Sequence, residues 1–102
     1  MMDMSMEYLT QEPVLELLFA LKWSDKFERD LISRLQGLVD NPKASFETIK
    51  SRLVELELAN EYKGGAGSPY LALTDRGQAI ADRLYEIKFV LDHPDEKTFP
   101  AE

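Results

Sequence analysis

The chain has 102 residues, 44% of them hydrophobic and 30% charged, with a formal net charge of −7 and no cysteine. That length suits one domain around one core, and the apolar content excludes a disordered chain. The missing cysteines exclude a disulfide framework and a thiolate metal site, and no apolar run nears the ~20 residues of a membrane span.

Residues 1–9 read as a short Met-rich lead-in, without the basic start and apolar stretch of a signal peptide, so a cytoplasmic protein is expected. Thr10-Gln11-Glu12-Pro13 reads as a helix start, with Thr10 capping and Pro13 in the first turn. The helix that follows, Val14 to Leu21, is apolar on almost every side apart from Glu16, which means burial on more than one face. Ser24-Asp25 is read as the cap of a second helix, whose stripe is Phe27, Leu31, Leu35 and Leu38. Asp40-Asn41-Pro42 breaks the chain. A third helix is expected from Ser45, with Ile49, Leu53 and Leu56 inward, and Asn60 is the expected positive-φ turn after it.

Glu61-Tyr62-Lys63, a glycine-rich turn from Gly64 to Pro69, and Tyr70 to Thr74 read as a hairpin. Thr74 or Asp75 then caps a last helix with a stripe of Ile80, Leu84, Ile87 and Leu91. Residues 93–102 are expected to fray as a tail, leaving residues 10–92 as the domain. The fold class is therefore mostly α with a small β-hairpin (α+β): three N-terminal helices, a hairpin and a C-terminal helix.

Catalytic chemistry finds no foothold. The single histidine, His93, stands near Asp92 and Asp95 before a proline, and one histidine without cysteines makes no metal cluster of usual spacing. Gly64-Gly65-Ala66-Gly67 lacks the spacing and the lysine of a phosphate loop, and no nucleophile elbow is present. No enzyme activity, cofactor or metal is expected.

The run Arg52-Leu53, Leu56-Glu57, with Tyr70, Leu73, Thr74 and Gly77 closing the hairpin, resembles winged helix-turn-helix regulators of the MarR, PadR and HxlR type. The resemblance covers roughly residues 13–91. It implies a third helix that enters the major groove of double-stranded DNA and a hairpin wing beside it. Members usually carry a Gly-Leu pair after the third helix; the pair matched to it here is Asn60-Glu61. The connection from Leu38 to Ala44 is also longer than a tight helix-turn-helix link.

With Ile49, Leu53 and Leu56 inward, the outward face of the third helix carries Glu47, Ser51, Val54, Glu55 and Leu58, with Lys50 and Arg52 on opposite flanks and Thr48 near Arg52. Lys43, Ser45, Thr48, Lys50, Ser51 and Arg52 are the candidate DNA contacts of the helix, and Lys63, Gly65 and Ser68 those of the wing. Lys43, Lys50, Arg52 and Lys63 are expected to share one face. Apolar surface on the first and last helices beyond one stripe points to a homodimer through Leu17, Leu21, Ala81, Tyr85 and Phe89. The function expected is a dimeric, sequence-specific DNA-binding regulator. The alternative is a winged helix that binds protein rather than DNA, motivated by the net charge, Glu47, Glu55, and outward Val54 and Leu58.

Overall fold

The computed structural model describes residues 5–94. Two short helices open it, α1 (Ser5–Leu9) and α2 (Glu12–Trp23). They are followed by β1 (Lys26–Phe27), α3 (Glu28–Arg34), α4 (Pro42–Glu55), β2 (Ala59–Lys63), β3 (Pro69–Leu73) and α5 (Asp75–Asp92). The expected helices, hairpin and final helix are all present, as an α+β fold.

Several boundaries differ from the expectation. The lead-in contains α1, whose Leu9 reaches the core. Thr10 does not cap α2; its hydroxyl donates back to the Met6 carbonyl, and Gln11 takes the N-cap position with no side-chain bond. Ser24 and Asp25 precede β1, and Phe27 is the N-cap of α3. Two residues of β1 carry no alternation to read, yet they pair with β3 as Lys26↔Leu71 and Phe27↔Tyr70. The sheet is thus three antiparallel strands in the order β1-β3-β2.

Helix α4 starts at Pro42 rather than Ser45. The Asn41 side chain accepts from the Ala44 N–H, and proline occupies the first turn, where its missing N–H costs nothing. The earlier start adds Phe46 to the inward stripe, fully buried with Leu53 and close to Ile49. The core also takes Leu17, Leu18, Leu31, Leu35, Leu58, Leu71 and Ala81. The last helix is buried only over its first half: Ile87 and Leu91, expected inward, are 55% and 74% exposed.

The chain leaves α4 through a left-handed residue, but it is Glu57 (φ 64) and not Asn60, which lies in β2. The Leu58 N–H donates to the Leu53 carbonyl at 2.9 Å and the Glu57 N–H to the Val54 carbonyl at 3.0 Å. That pair of bonds is a Schellman ending, in which glycine normally takes the Glu57 position. The pair at the end of α4 is thus Glu57-Leu58 rather than Asn60-Glu61, and its leucine is an apolar anchor. Leu58, expected outward, is buried.

Residues 74–77 lock the hairpin to this turn. The Thr74 N–H donates to the Leu58 carbonyl and its hydroxyl to the Glu57 carbonyl, while the same hydroxyl accepts from the Gly77 N–H and caps α5. A Cβ on Gly77 would lie 1.9 Å from the Leu58 carbonyl oxygen. The spacing of Leu73, Thr74 and Gly77 thus has a steric cause, since only glycine lets α5 start this close to the chain leaving α4.

Candidate nucleic-acid interface

Helix α4 buries Phe46, Ile49 and Leu53 and leaves Lys43, Glu47, Thr48, Ser51, Val54 and Glu55 exposed. Ser45, Lys50 and Arg52 are half-buried on its flanks. Thr48 and Ser45 border a shallow pocket with Tyr8, Gln11 and Pro13, at the junction of α1 and α2. On the other side, Lys50, Ser51 and Val54 face Asn60 and Tyr62 of β2 across an open groove.

The hairpin stands beside this helix. Its turn is ordered by two backbone bonds, Gly64 N–H to the Ser68 carbonyl at 2.7 Å and Gly67 N–H to the Gly64 carbonyl at 2.9 Å. Gly67 needs its glycine for a φ of 81°, whereas Gly65 has ordinary φ and open space around it. Lys63 and Gly65 are exposed and Ser68 is half-buried. Lys43 and Lys63 take part in no ion pair among the described residues.

The four cations expected to share one face do not do so. Arg52 lies towards α1, with its guanidinium 5.7 Å from the Tyr8 ring and 2.9 Å from Glu55. Lys50 turns the other way, into a cage of carboxylates. Its ammonium is 3.1 Å from Glu28 of α3, 3.2 Å from Glu47 one turn back on α4, and 3.3 Å from Glu61 of β2. Only 15% of the Lys50 side chain is exposed. Lys50 is therefore not the free phosphate ligand that its position in the sequence implied; only Glu47 among its partners is a near neighbour along the chain.

Burial works against the Lys50 charge, but hydrogen bonds to Glu28, Glu47 and Glu61 outweigh it and hold its pKa well above the ordinary lysine value. Burial pushes the Glu28 carboxyl up, reinforced by its hydrogen bond with Glu61. Glu61 is held below the ordinary range, first by that bond to Glu28 and then by Lys50 and Lys63. Burial thus favours the protonated form of Glu28 more than in an ordinary glutamate.

The expected dimer residues divide in two. Leu17, Leu21 and Ala81 lie in the core of the single chain and offer no surface to a second copy. Tyr85 and Phe89 are half-buried: Tyr85 packs edge-on against Phe19 and Trp23, and Phe89 stacks on His93 at 4.1 Å. Apolar surface left open on these two helices includes Trp23 of α2 and Ile87, Val90 and Leu91 of α5, the last three next to a groove that includes Leu15 and Phe19 of α2. His93 also contacts the Phe89 carbonyl through Nδ1. Asp95 and the rest of the expected tail lie outside the described residues. Among those described, no three His, Asp or Glu side chains are placed to hold a metal ion, and no helix is long and apolar enough to cross a membrane.

No protein-family model and no curated protein sequence matches the chain. Solved structures do. ytfH of Salmonella typhimurium, described as a transcriptional regulator, superposes with a TM-score of 0.70 at 16% identity, over 89% of this chain and 81% of that one. AF1382 from Archaeoglobus fulgidus gives 0.64 at 22% identity, over 91% of this chain and 99% of that one. ZitR of Lactococcus lactis gives 0.67 at 15% identity over 83% of this chain; the match spans only 57% of ZitR. The adhesin competence repressor AdcR of Streptococcus pyogenes gives 0.66 at 17% identity over 90% of this chain and 69% of that one. The chain has the winged helix-turn-helix fold of these proteins, with α4 in the place of the third helix and the β2–β3 hairpin as its wing.

Proposed function

We propose that the protein is a DNA-binding transcriptional regulator acting in the cytoplasm, with α4 as the helix that enters the major groove of double-stranded DNA. The observation that carries this reading is the pairing of a free helix face with an ordered, protruding wing in a fold shared with transcriptional regulators. On α4, Lys43, Thr48 and Ser51 are the exposed polar groups suited to phosphates and base edges, with Ser45 and Arg52 at the rim. On the wing, Lys63, Ser68 and the open backbone at Gly65 supply phosphate contacts. Sequence-specific binding by a homodimer follows from the same reading, with the open face around Ile87, Val90 and Leu91, and Tyr85 and Phe89 at its edge, meeting its symmetry mate.

The test is a mobility-shift assay against genomic fragments at two salt concentrations. Retention that weakens steeply with salt, and is lost on combined substitution of Lys43, Thr48 and Ser51 by alanine, supports the reading. No retention at low salt would reject it in favour of a protein partner. Leu58 offers no surface to such a partner, because it is buried in the core.

A further inference from the structure

The cage around Lys50 sits on the surface that the proposed function assigns to DNA, and three carboxylates meeting one ammonium leave two negative charges in excess there. We propose that this cage is a charge gate: Glu28, Glu47 and Glu61 withhold Lys50 from phosphate, and removal of their negative charge turns the α4–β2 groove into a phosphate-binding surface. The inference rests on the DNA-binding reading.

The geometry supports it in three ways. The cage joins three elements, α3, α4 and β2, so Lys50 is held by the fold rather than by a mobile surface partner. The groove in front of it is open and lined by Ser51, Val54, Glu55, Asn60 and Tyr62; Glu55 is paired with Arg52 at 2.9 Å, so a phosphate can approach the ammonium once the cage carboxylates no longer repel it. Finally, among the described residues no other cation competes for the cage apart from Lys63 at its border. Lys26 of β1 turns away to the Ala20 carbonyl and Ser24, and Arg29 of α3 lies over the Phe27 ring. On α2, Lys22 is bound to Asp82 and Glu16 to Arg34, and β3 has no charged residue.

Two routes open the gate. One is protonation of Glu28, whose carboxyl is raised by its burial and its bond to Glu61. The other is a partner or substitution that neutralises Glu47 or Glu61, each nearly half exposed. At water-like screening, removing one carboxylate next to a bound phosphate is worth about fivefold in affinity.

The experiment uses fluorescence anisotropy of a labelled random-sequence DNA duplex at low salt. The proteins are the unmodified chain, Glu47→Gln, Glu61→Gln, the double variant, and the double variant with Lys50→Met. Each single substitution is expected to tighten binding about fivefold, and the double variant to steepen the salt dependence by about one phosphate contact. Adding Lys50→Met is expected to abolish the gain. Lowering pH from about 7.5 to about 5.5, towards the ordinary carboxylate range, is expected to tighten the unmodified chain more than a Glu28→Gln variant, which lacks the carboxyl that takes the proton. If the unmodified chain binds DNA and the glutamine variants bind no better, the gate is wrong and the DNA reading stands. A gain that survives Lys50→Met also overturns the gate, since general charge then explains it. If neither the unmodified chain nor the folded double variant binds, both readings fall. Circular dichroism confirms that each variant is folded.

Discussion

Replacing Gly77 by alanine tests whether α5 and the turn after α4 are as closely joined as described. The added Cβ would meet the Leu58 carbonyl oxygen at 1.9 Å and its carbonyl carbon at 2.8 Å, and both are backbone. No side-chain rotation relieves the clash, so the start of α5 must move by more than an ångström or the turn must open. Opening the turn loses the Thr74 N–H bond to Leu58 and strains the Thr74 hydroxyl bond to Glu57, at about 1 kcal/mol each. Overpacking adds about 1–3 kcal/mol, and the better helix propensity of alanine returns about 1 kcal/mol. The net expectation is a loss of about 2–4 kcal/mol, or roughly 10–25 °C in Tm for a domain of this size. Thermal and urea melts followed by circular dichroism measure it, with Gly65→Ala as the control. That control has open space and ordinary φ and is expected to stay within about 0.5 kcal/mol. A Gly77→Ala protein as stable as the unmodified chain would refute the steric reasoning.

Glu57→Gly replaces the one non-glycine residue held at positive φ among those described, so it is expected to raise stability by about 1 kcal/mol in the same melts. Ile87→Asp with Leu91→Asp changes exposed residues only; the monomer fold is expected to persist while sedimentation shows any dimer dissociating. Asp82 is held below the ordinary carboxylate range chiefly by its hydrogen bond from Lys22 at 2.8 Å. A carboxylate with a lowered folded pKa stabilises above its unfolded pKa of about 4 and loses that contribution as pH falls through the folded value. Asp82→Asn is therefore expected to be less stable at pH 7 by less than about 1 kcal/mol, given the exposure of the pair, with the difference vanishing in acid. A constant difference across pH titrations of stability would count against the pair.

The helical stripes were legible because apolar side chains recur at 3.6-residue spacing, and the hairpin because glycines interrupt two extended runs. Errors arose where a local signal was absent. Phe46 was missed because the register began at Ser45, and moving the start to Pro42 makes the 46-49-53 stripe plain. A left-handed glutamate carries no residue-type mark, so the sequence does not single out Glu57 as the turn or reveal that Leu58 points inward. At the candidate interface, Thr48 is exposed and Arg52 lies on a flank of α4, as the helical spacing predicts. The true state of Lys50 was hidden because Glu28 and Glu61 lie 22 and 11 residues away in sequence. The core position of Leu17, Leu21 and Ala81 was obscured for a related reason: an excess of apolar residues on a helix does not say whether its own chain or a second copy covers them.

The most direct test of α4 and the wing as the DNA-contacting surface is an NMR titration of isotope-labelled protein with a double-stranded operator selected from genomic fragments. The amide signals of Lys43, Thr48, Ser51, Lys63 and Gly65 are expected to shift together at low salt and to return as salt is raised. Shifts confined to the Ile87–Leu91 face, or no shift at all, would contradict the account.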